Sequence, residues 1–210
     1  MIGNASCVQS VRARLQPRTD INMRYSALGL LAVFGLAACG GDEPAADTQT
    51  PASTPAADAG ALTMPDWYQI DRDAQTVTLN ITAGTSSDNN YWNYNGMYGG
   101  RGHLVIPQGY QVTVNLTNND PNMAHSIGIG ERLSSYPATF TNPVPIFAGG
   151  ITQNATSMTE ATMPGETETI SFTAETAGDY AFICYVTGHA VVGMYLNVTV
   201  SADDEAGLRQ

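Results

Sequence analysis

The chain has 210 residues, of which 13% are charged, and its formal net charge at pH 7 is −11. Asp and Glu number 19 against 8 Lys and Arg, and all eight of those basic residues are Arg. Because binding to a phosphate backbone depends on clustered basic side chains, we expect no nucleic-acid partner. The hydrophobic fraction of 43% is enough for a packed core, which argues against a chain that is disordered throughout.

The N-terminal part of the chain has the layout of an export signal. Arg24 is followed by an apolar or small stretch that ends at Cys39 and is too short to span a bilayer comfortably. We therefore predict a lipoprotein signal peptide at 23–38, preceded by a mis-assigned upstream extension at 1–22. Leu36-Ala37-Ala38-Cys39 resembles a bacterial lipobox, which implies a lipid on the Cys39 thiol. The alternative is an ordinary signal peptide with a chance cysteine.

Residues 39–61 are rich in Ala, Pro, Thr and acidic residues and have no hydrophobic period, so we interpret them as a flexible linker behind the lipidated cysteine. Export with a lipid anchor would leave the protein bound to a membrane and facing the periplasm or the cell exterior.

The body of the chain, residues 62–201, carries a period of two. Apolar and β-branched residues alternate with polar ones, and clusters of Pro, Gly, Asn and Asp separate these runs, as expected for short half-buried strands. The pattern predicts an antiparallel sandwich or barrel. Residues 131–164, rich in Pro, are interpreted as an excursion with irregular or short helical structure, and 202–210 as an acidic tail. The strand-like runs are 75–82, 103–107, 110–118, 124–130, 168–174, 179–186 and 193–201.

The strongest chemical signal is the segment CYVTGHAVVGM, in which Cys184, His189 and Met194 follow one another at intervals of five. It lies between two predicted strands, and His125 lies at the start of another. Two His and one Cys with a weak axial Met form the ligand set of blue copper centres, because thiolate and thioether favour Cu(I) while imidazole serves both oxidation states. Taken singly, each of these residues could instead be ordinary core or surface packing.

Cys184 is the only thiol in the body of the chain, so no disulfide is expected there. The chain has three histidines in all, which is too few for a multicopper oxidase or a multi-zinc enzyme. We interpret His103 as an ordinary exposed or hydrogen-bonded residue. The aromatic cluster at 91–98 is interpreted as core or rim packing.

The ligand segment resembles the cupredoxins, and more narrowly the sulfocyanin and rusticyanin group, in having four residues between Cys184 and His189 and four more before Met194. Residues 90–118 and 163–172 carry the same resemblance, which covers about 74–201. It implies an all-β Greek-key sandwich of about eight strands that binds one type 1 copper ion. Ser126, where most small blue copper proteins have Asn, is similar to the high-potential members.

These observations favour a membrane-tethered carrier of single electrons between respiratory redox proteins, such as a cytochrome or a terminal oxidase. We expect a monomer, and no enzyme activity, because four protein ligands leave no open position for a substrate. The alternative is a periplasmic or cell-surface copper-binding or delivery protein. An adhesion sandwich would not explain the ligand segment.

The residues next to His189 predict where electrons pass. Ala190, Val191 and Val192 are uncharged. We expect one edge of the His189 ring to reach the surface within this apolar patch, so that a partner can approach closely and exclude water.

Overall fold

The structure, a computed structural model, describes residues 60–209 and contains nine strands in two sheets. The extension, the signal peptide, Cys39 and nearly all of the linker lie outside the described residues. The strands are β1 Tyr68–Asp71, β2 Thr76–Ala83, β3 His103–Pro107, β4 Gln111–Asn118, β5 Gly128–Glu131, β6 Thr167–Thr173, β7 Gly178–Ile183, β8 Tyr195–Ser201 and β9 Gly207–Arg209.

The first sheet has the order β1-β2-β4-β6, and its inner face is formed by the alternating apolar residues of the sequence pattern. In β2, for example, Val77, Leu79 and Ile81 are buried while Asn80 is exposed. Because successive side chains of a strand point to opposite faces, this alternation supplies one apolar face, which packs against the second sheet.

The second sheet has the order β5-β7-β8-β3-β9. Both sheets are mixed, since β2 pairs with β4 in parallel and β3 pairs with β8 in parallel. The expectation of purely antiparallel sheets is therefore wrong for these two pairs. The reason is topological: β3 follows β2 along the chain but lies in the other sheet, so the chain returns to the first sheet in the original direction as β4.

The nine strands exceed the expected eight by one, and the two strands that no predicted run covers lie at the two ends of the domain. Strand β1 pairs with β2, and β9 pairs with the outer side of β3. Residues 202–210, expected to be a tail, thus contain the last strand of the second sheet, and Leu208 is buried. The alternation of apolar and polar residues in β9 is too short to be recognised in the sequence, because only three residues pair.

Apart from Glu131, which ends β5, residues 131–164 contain no helix or named strand, so the excursion is irregular rather than helical. The excursion runs along the outer edge of β5, where the backbone of Ile129 pairs with Ile146 and Gly150. Phe147 is buried against Phe172, with parallel rings whose centroids are 5.7 Å apart. The excursion thereby covers a sheet edge that would otherwise be open. Within residues 60–209, no helix is long and apolar enough to cross a membrane.

Candidate metal centre

Two loops at one end of the sandwich bring the expected side chains together. His125 precedes β5 and is held by a two-way backbone bridge to Thr162, with both N···O distances 3.0 Å. Cys184 directly follows β7, and Met194 directly precedes β8. The ligand segment is therefore the connection between two neighbouring antiparallel strands, which fixes where it begins and ends.

Backbone hydrogen bonds close this connection into a compact turn. The Cys184 amide donates to the Met194 carbonyl at 3.1 Å, and the Met194 amide donates to the His189 carbonyl at 3.0 Å. Gly193 ends a short 3-10 helix with φ of 109°, a left-handed conformation that favours glycine. The turn thus holds all three residues in place, and the Met194 side chain is fully buried.

His125, Cys184 and His189 form one buried group of potential metal donors. The two Nδ1 atoms are 3.2 Å apart, and the Cys184 Sγ lies 3.5 Å from Nδ1 of His189 and 4.0 Å from Nδ1 of His125. Imidazole nitrogen and thiolate sulfur bind first-row metals at about 2.0 to 2.3 Å, so donors with these separations can share one ion. The donor set of two nitrogens and one sulfur suits copper.

Burial controls the protonation of these donors. It lowers the pKa of His189 to about 3, with a further lowering by the nearby His125 ring, and it also lowers the pKa of His125. Both imidazoles are therefore neutral at pH 7 and have a free lone pair. Burial raises the pKa of Cys184, so the apoprotein holds a thiol, and metal binding must release its proton.

Asp120 is a residue of the site that sequence reasoning missed. Its buried carboxylate accepts a hydrogen bond from Nε2 of His125 at 2.9 Å through Oδ2. Oδ1 accepts from the backbone amides of Asn122 and Met123 at 2.8 and 3.1 Å. The carboxylate thus selects the tautomer with the proton on Nε2, which leaves Nδ1 free and aimed at Cys184.

Asp120→Asn should weaken copper binding about 10- to 100-fold, which is the usual effect of losing a residue that hydrogen-bonds to a metal-binding side chain. Asn has a single oxygen, which cannot serve both the loop amides and His125, and an amide N–H facing Nε2 favours the wrong tautomer. Competition titration with a chelator measures the affinity. Asp73→Asn, the same change at an exposed position, should have no effect. Equal affinities of the two variants would show that Asp120 does not orient the ring.

Ser126 connects the two ligand loops. Its hydroxyl accepts from the Tyr185 amide at 2.9 Å, and its own amide donates to the Cys184 Sγ at 3.5 Å. The Tyr94 hydroxyl donates to the Ser126 carbonyl from the core side. Ser126 therefore ties the loop that carries His125 to the segment that carries Cys184.

The surface next to the donor group differs from the expectation. His189 has 0% exposure, so the prediction that its ring edge reaches the surface is wrong. The cause is Trp92, whose ring stacks on the imidazole with centroids 4.0 Å apart and an interplanar angle of 19°. Ala190 is also buried and cannot belong to an exposed patch, whereas Val191 and Val192 are 47% and 50% exposed.

The other singled-out residues lie where the sequence suggested, with one exception. His103 is half-buried on the second sheet, and its Nε2 lies 2.7 Å from the Thr199 hydroxyl. Tyr94 is fully buried in the core, as expected. The exception is Trp92, which packs on a member of the donor group rather than on the core alone.

A Greek-key sandwich that buries two histidines and a cysteine between these loops defines a cupredoxin, a blue copper electron-transfer protein that binds one type 1 copper. The chain belongs to the sulfocyanin family, because the Sulfocyanin (SoxE) domain matches residues 65–206.

Among solved structures, the chain is similar to reduced auracyanin from the photosynthetic bacterium Roseiflexus castenholzii, with 26% identity over 59% of this chain and 96% of that chain and a TM-score of 0.41. It is also similar to rusticyanin from Thiobacillus ferrooxidans, with 23% identity over 65% of this chain and 87% of that chain and a TM-score of 0.42. The curated proteins contain no match.

Proposed function

We propose that His125, Cys184, His189 and Met194 bind the copper ion and that the protein carries single electrons between redox proteins of a respiratory chain. The observation that carries this proposal is the buried cluster of one sulfur and two nitrogens, all within 4.8 Å of one another. Copper bound there would supply one-electron chemistry by alternating between Cu(I) and Cu(II). The surrounding residues exclude water and hold the donors rigidly, which limits rearrangement between the two states.

Metal analysis with visible spectroscopy tests the proposal. The oxidised full-length protein should bind one copper per chain and show an intense thiolate-to-copper absorption, and voltammetry should show one reversible electron without loss of metal. A protein that remains colourless with stoichiometric Cu(II) and an oxidant would contradict it. Loss of copper on reduction would instead support the delivery function, which the closed, buried site disfavours.

Met194→Gln should lower the reduction potential while keeping a coloured copper centre. In blue copper sites a thioether is a weak ligand that favours Cu(I), whereas an amide oxygen from Gln would be harder and would favour Cu(II). Voltammetry on the variant and the wild type measures the shift. Complete loss of copper would show that Met194 holds the site together rather than tuning it.

The proposed cellular setting is export with a lipid on Cys39, followed by a linker up to residue 61 and the copper domain. The lipobox-like sequence supports this arrangement, because it implies a diacylglycerol on Cys39. Two acyl chains give the stable membrane anchoring that one chain does not. Labelled fatty acid should enter the wild type but not Cys39→Ala, and the variant should leave the membrane fraction. Equal labelling of both proteins would contradict the lipid anchor.

A further inference from the structure

Trp92 stacks on the His189 ring and covers one of its faces. Its indole is only partly buried, whereas the His189 ring beneath it has no exposed surface. A partner approaching this end of the molecule therefore meets the indole and the exposed Val191 and Val192, not the imidazole.

The loop that carries Trp92 adopts an unfavourable backbone conformation to hold the indole there. Asn89, Asn90 and Tyr91 have φ of 50°, 59° and 63°, three consecutive left-handed residues without a glycine. Asn tolerates this region, but Tyr does so rarely. Such clusters persist only where the surrounding structure holds them, and they concentrate at functional sites.

Hydrogen bonds fix this loop on both sides of the indole. The Asn89 side chain donates to the Trp92 carbonyl at 2.8 Å, and the Trp92 amide donates to the Asn89 carbonyl at 3.0 Å. The buried Asn93 side chain donates to the carbonyls of Ser86 and Asp88, both at 2.9 Å. The loop also meets the ligand turn, where the Gly99 amide donates to the Gly193 carbonyl at 2.7 Å.

The stacked rings of Trp92 and His189 have a second unfavourable feature, which is the lack of hydrogen bonds to two buried nitrogens. Nε1 of Trp92 and Nε2 of His189 are both buried and have no hydrogen-bond partner among residues 60–209. A buried polar atom without a partner is disfavoured, and one that persists in a folded protein needs an explanation. The indole position thus combines a strained loop with an unpaired N–H, although a smaller aliphatic side chain would cover the imidazole without the N–H.

We propose that Trp92 is the route by which electrons enter and leave the copper site. This inference rests on the proposed function. Tunnelling weakens with distance, and the stacked indole extends the conjugated surface of His189 to the exterior of the protein. One electron passes between the site and the partner in each encounter; no bond forms or breaks, no proton moves, and Trp92 keeps its own oxidation state.

Electron self-exchange between oxidised and reduced full-length protein tests this route without a known partner. The reaction has no driving force, so a small change in potential does not alter its rate. NMR line broadening in mixtures of the two states gives the rate constant. Trp92→Leu, which covers the ring without a π system, should slow exchange several-fold, and Trp92→Phe should restore most of it. Trp67→Leu removes the other tryptophan and should leave the rate unchanged.

Three further measurements distinguish a role of Trp92 in electron transfer from a purely structural role. The His189 ring-proton shifts of the apoprotein should carry the ring-current effect of the indole and lose it in Trp92→Leu. The colour and potential of that variant should stay close to wild type. If leucine prevents folding, Trp92→Met provides the same comparison.

Exchange as fast in Trp92→Leu as in the wild type, or faster, would overturn the route and show that Trp92 only shields His189. A wild type that never becomes coloured with copper would overturn the proposed function before any rate is measured, so the two failures are distinguishable.

Discussion

Cys184→Ser should abolish the intense visible absorption of the copper-loaded protein. It should also weaken Cu(I) binding by more than the roughly 100-fold that is lost when a residue hydrogen-bonded to a metal ligand is replaced. The thiolate supplies both the charge-transfer band and the soft donor that favours Cu(I), and a hydroxyl supplies neither. The fold should persist, because serine has nearly the same shape and can accept the hydrogen bond that the Ser126 amide donates to Sγ. Absorption spectroscopy, copper titration and far-UV circular dichroism measure the three effects.

Cys39→Ser makes the same substitution in the segment before the domain and should leave the colour intact. A coloured Cys184→Ser protein would show that sulfur from Cys184 does not bind the copper. An unfolded variant would be recognised from the circular dichroism, and Cys184→Ala would then be used for the same measurements.

Acid should destabilise the apoprotein through His189. The pKa of its ring is lowered to about 3 in the fold, mainly by burial, whereas the unfolded chain has the ordinary value near 6.5. Below pH 6.5 the unfolded state binds more protons, so stability falls as pH falls towards 3 and is unaffected above 6.5. From pH 7 to pH 5, the His189 contribution to the loss is about 2 kcal/mol.

Urea unfolding of the apoprotein at pH 7 and pH 5 measures this loss, and His189→Gln, which cannot take up a proton in this range, should lose less. The difference between the two proteins isolates His189 from the other groups that titrate, His125 included. Copper should protect the wild type, because a bound imidazole has no free lone pair to protonate. The same pH dependence in both apoproteins would show that His189 is not held neutral in the fold.

The elements that could be read from the sequence are those in which a periodic pattern is long enough to be unambiguous. Strands β2 and β4 each have eight residues with strict alternation, and the sequence locates both within one residue. Strand β9 has three residues and depends on β3 for its pairing, so nothing local distinguishes it from a tail. The parallel pairing of β2 with β4 also cannot be recognised from the residues of either strand, because it depends on which sheet β3 joins.

Within the centre, residue chemistry and spacing were enough to propose the ligands, because thiol, imidazole and thioether at short intervals between two strands must return to one end of a sandwich. Asp120 and Trp92 carry no such signal. Asp120 is five residues from His125 in a polar loop where an acid is unremarkable, and Trp92 lies far along the chain in an aromatic cluster typical of packing.

The sequence by itself determined the all-β class, the sulfocyanin-like ligand spacing and the candidate donors, since these depend on residue type and on intervals within single strands and turns. Only the tertiary structure decided which groups surround the donors. Asp120 orients His125 because the short loop between them folds back and brings the carboxylate to the ring, and Trp92 closes off His189 because a loop remote in sequence folds against the ligand turn. The exposure of a ring depends on everything packed over it, so no local pattern around His189 could determine it.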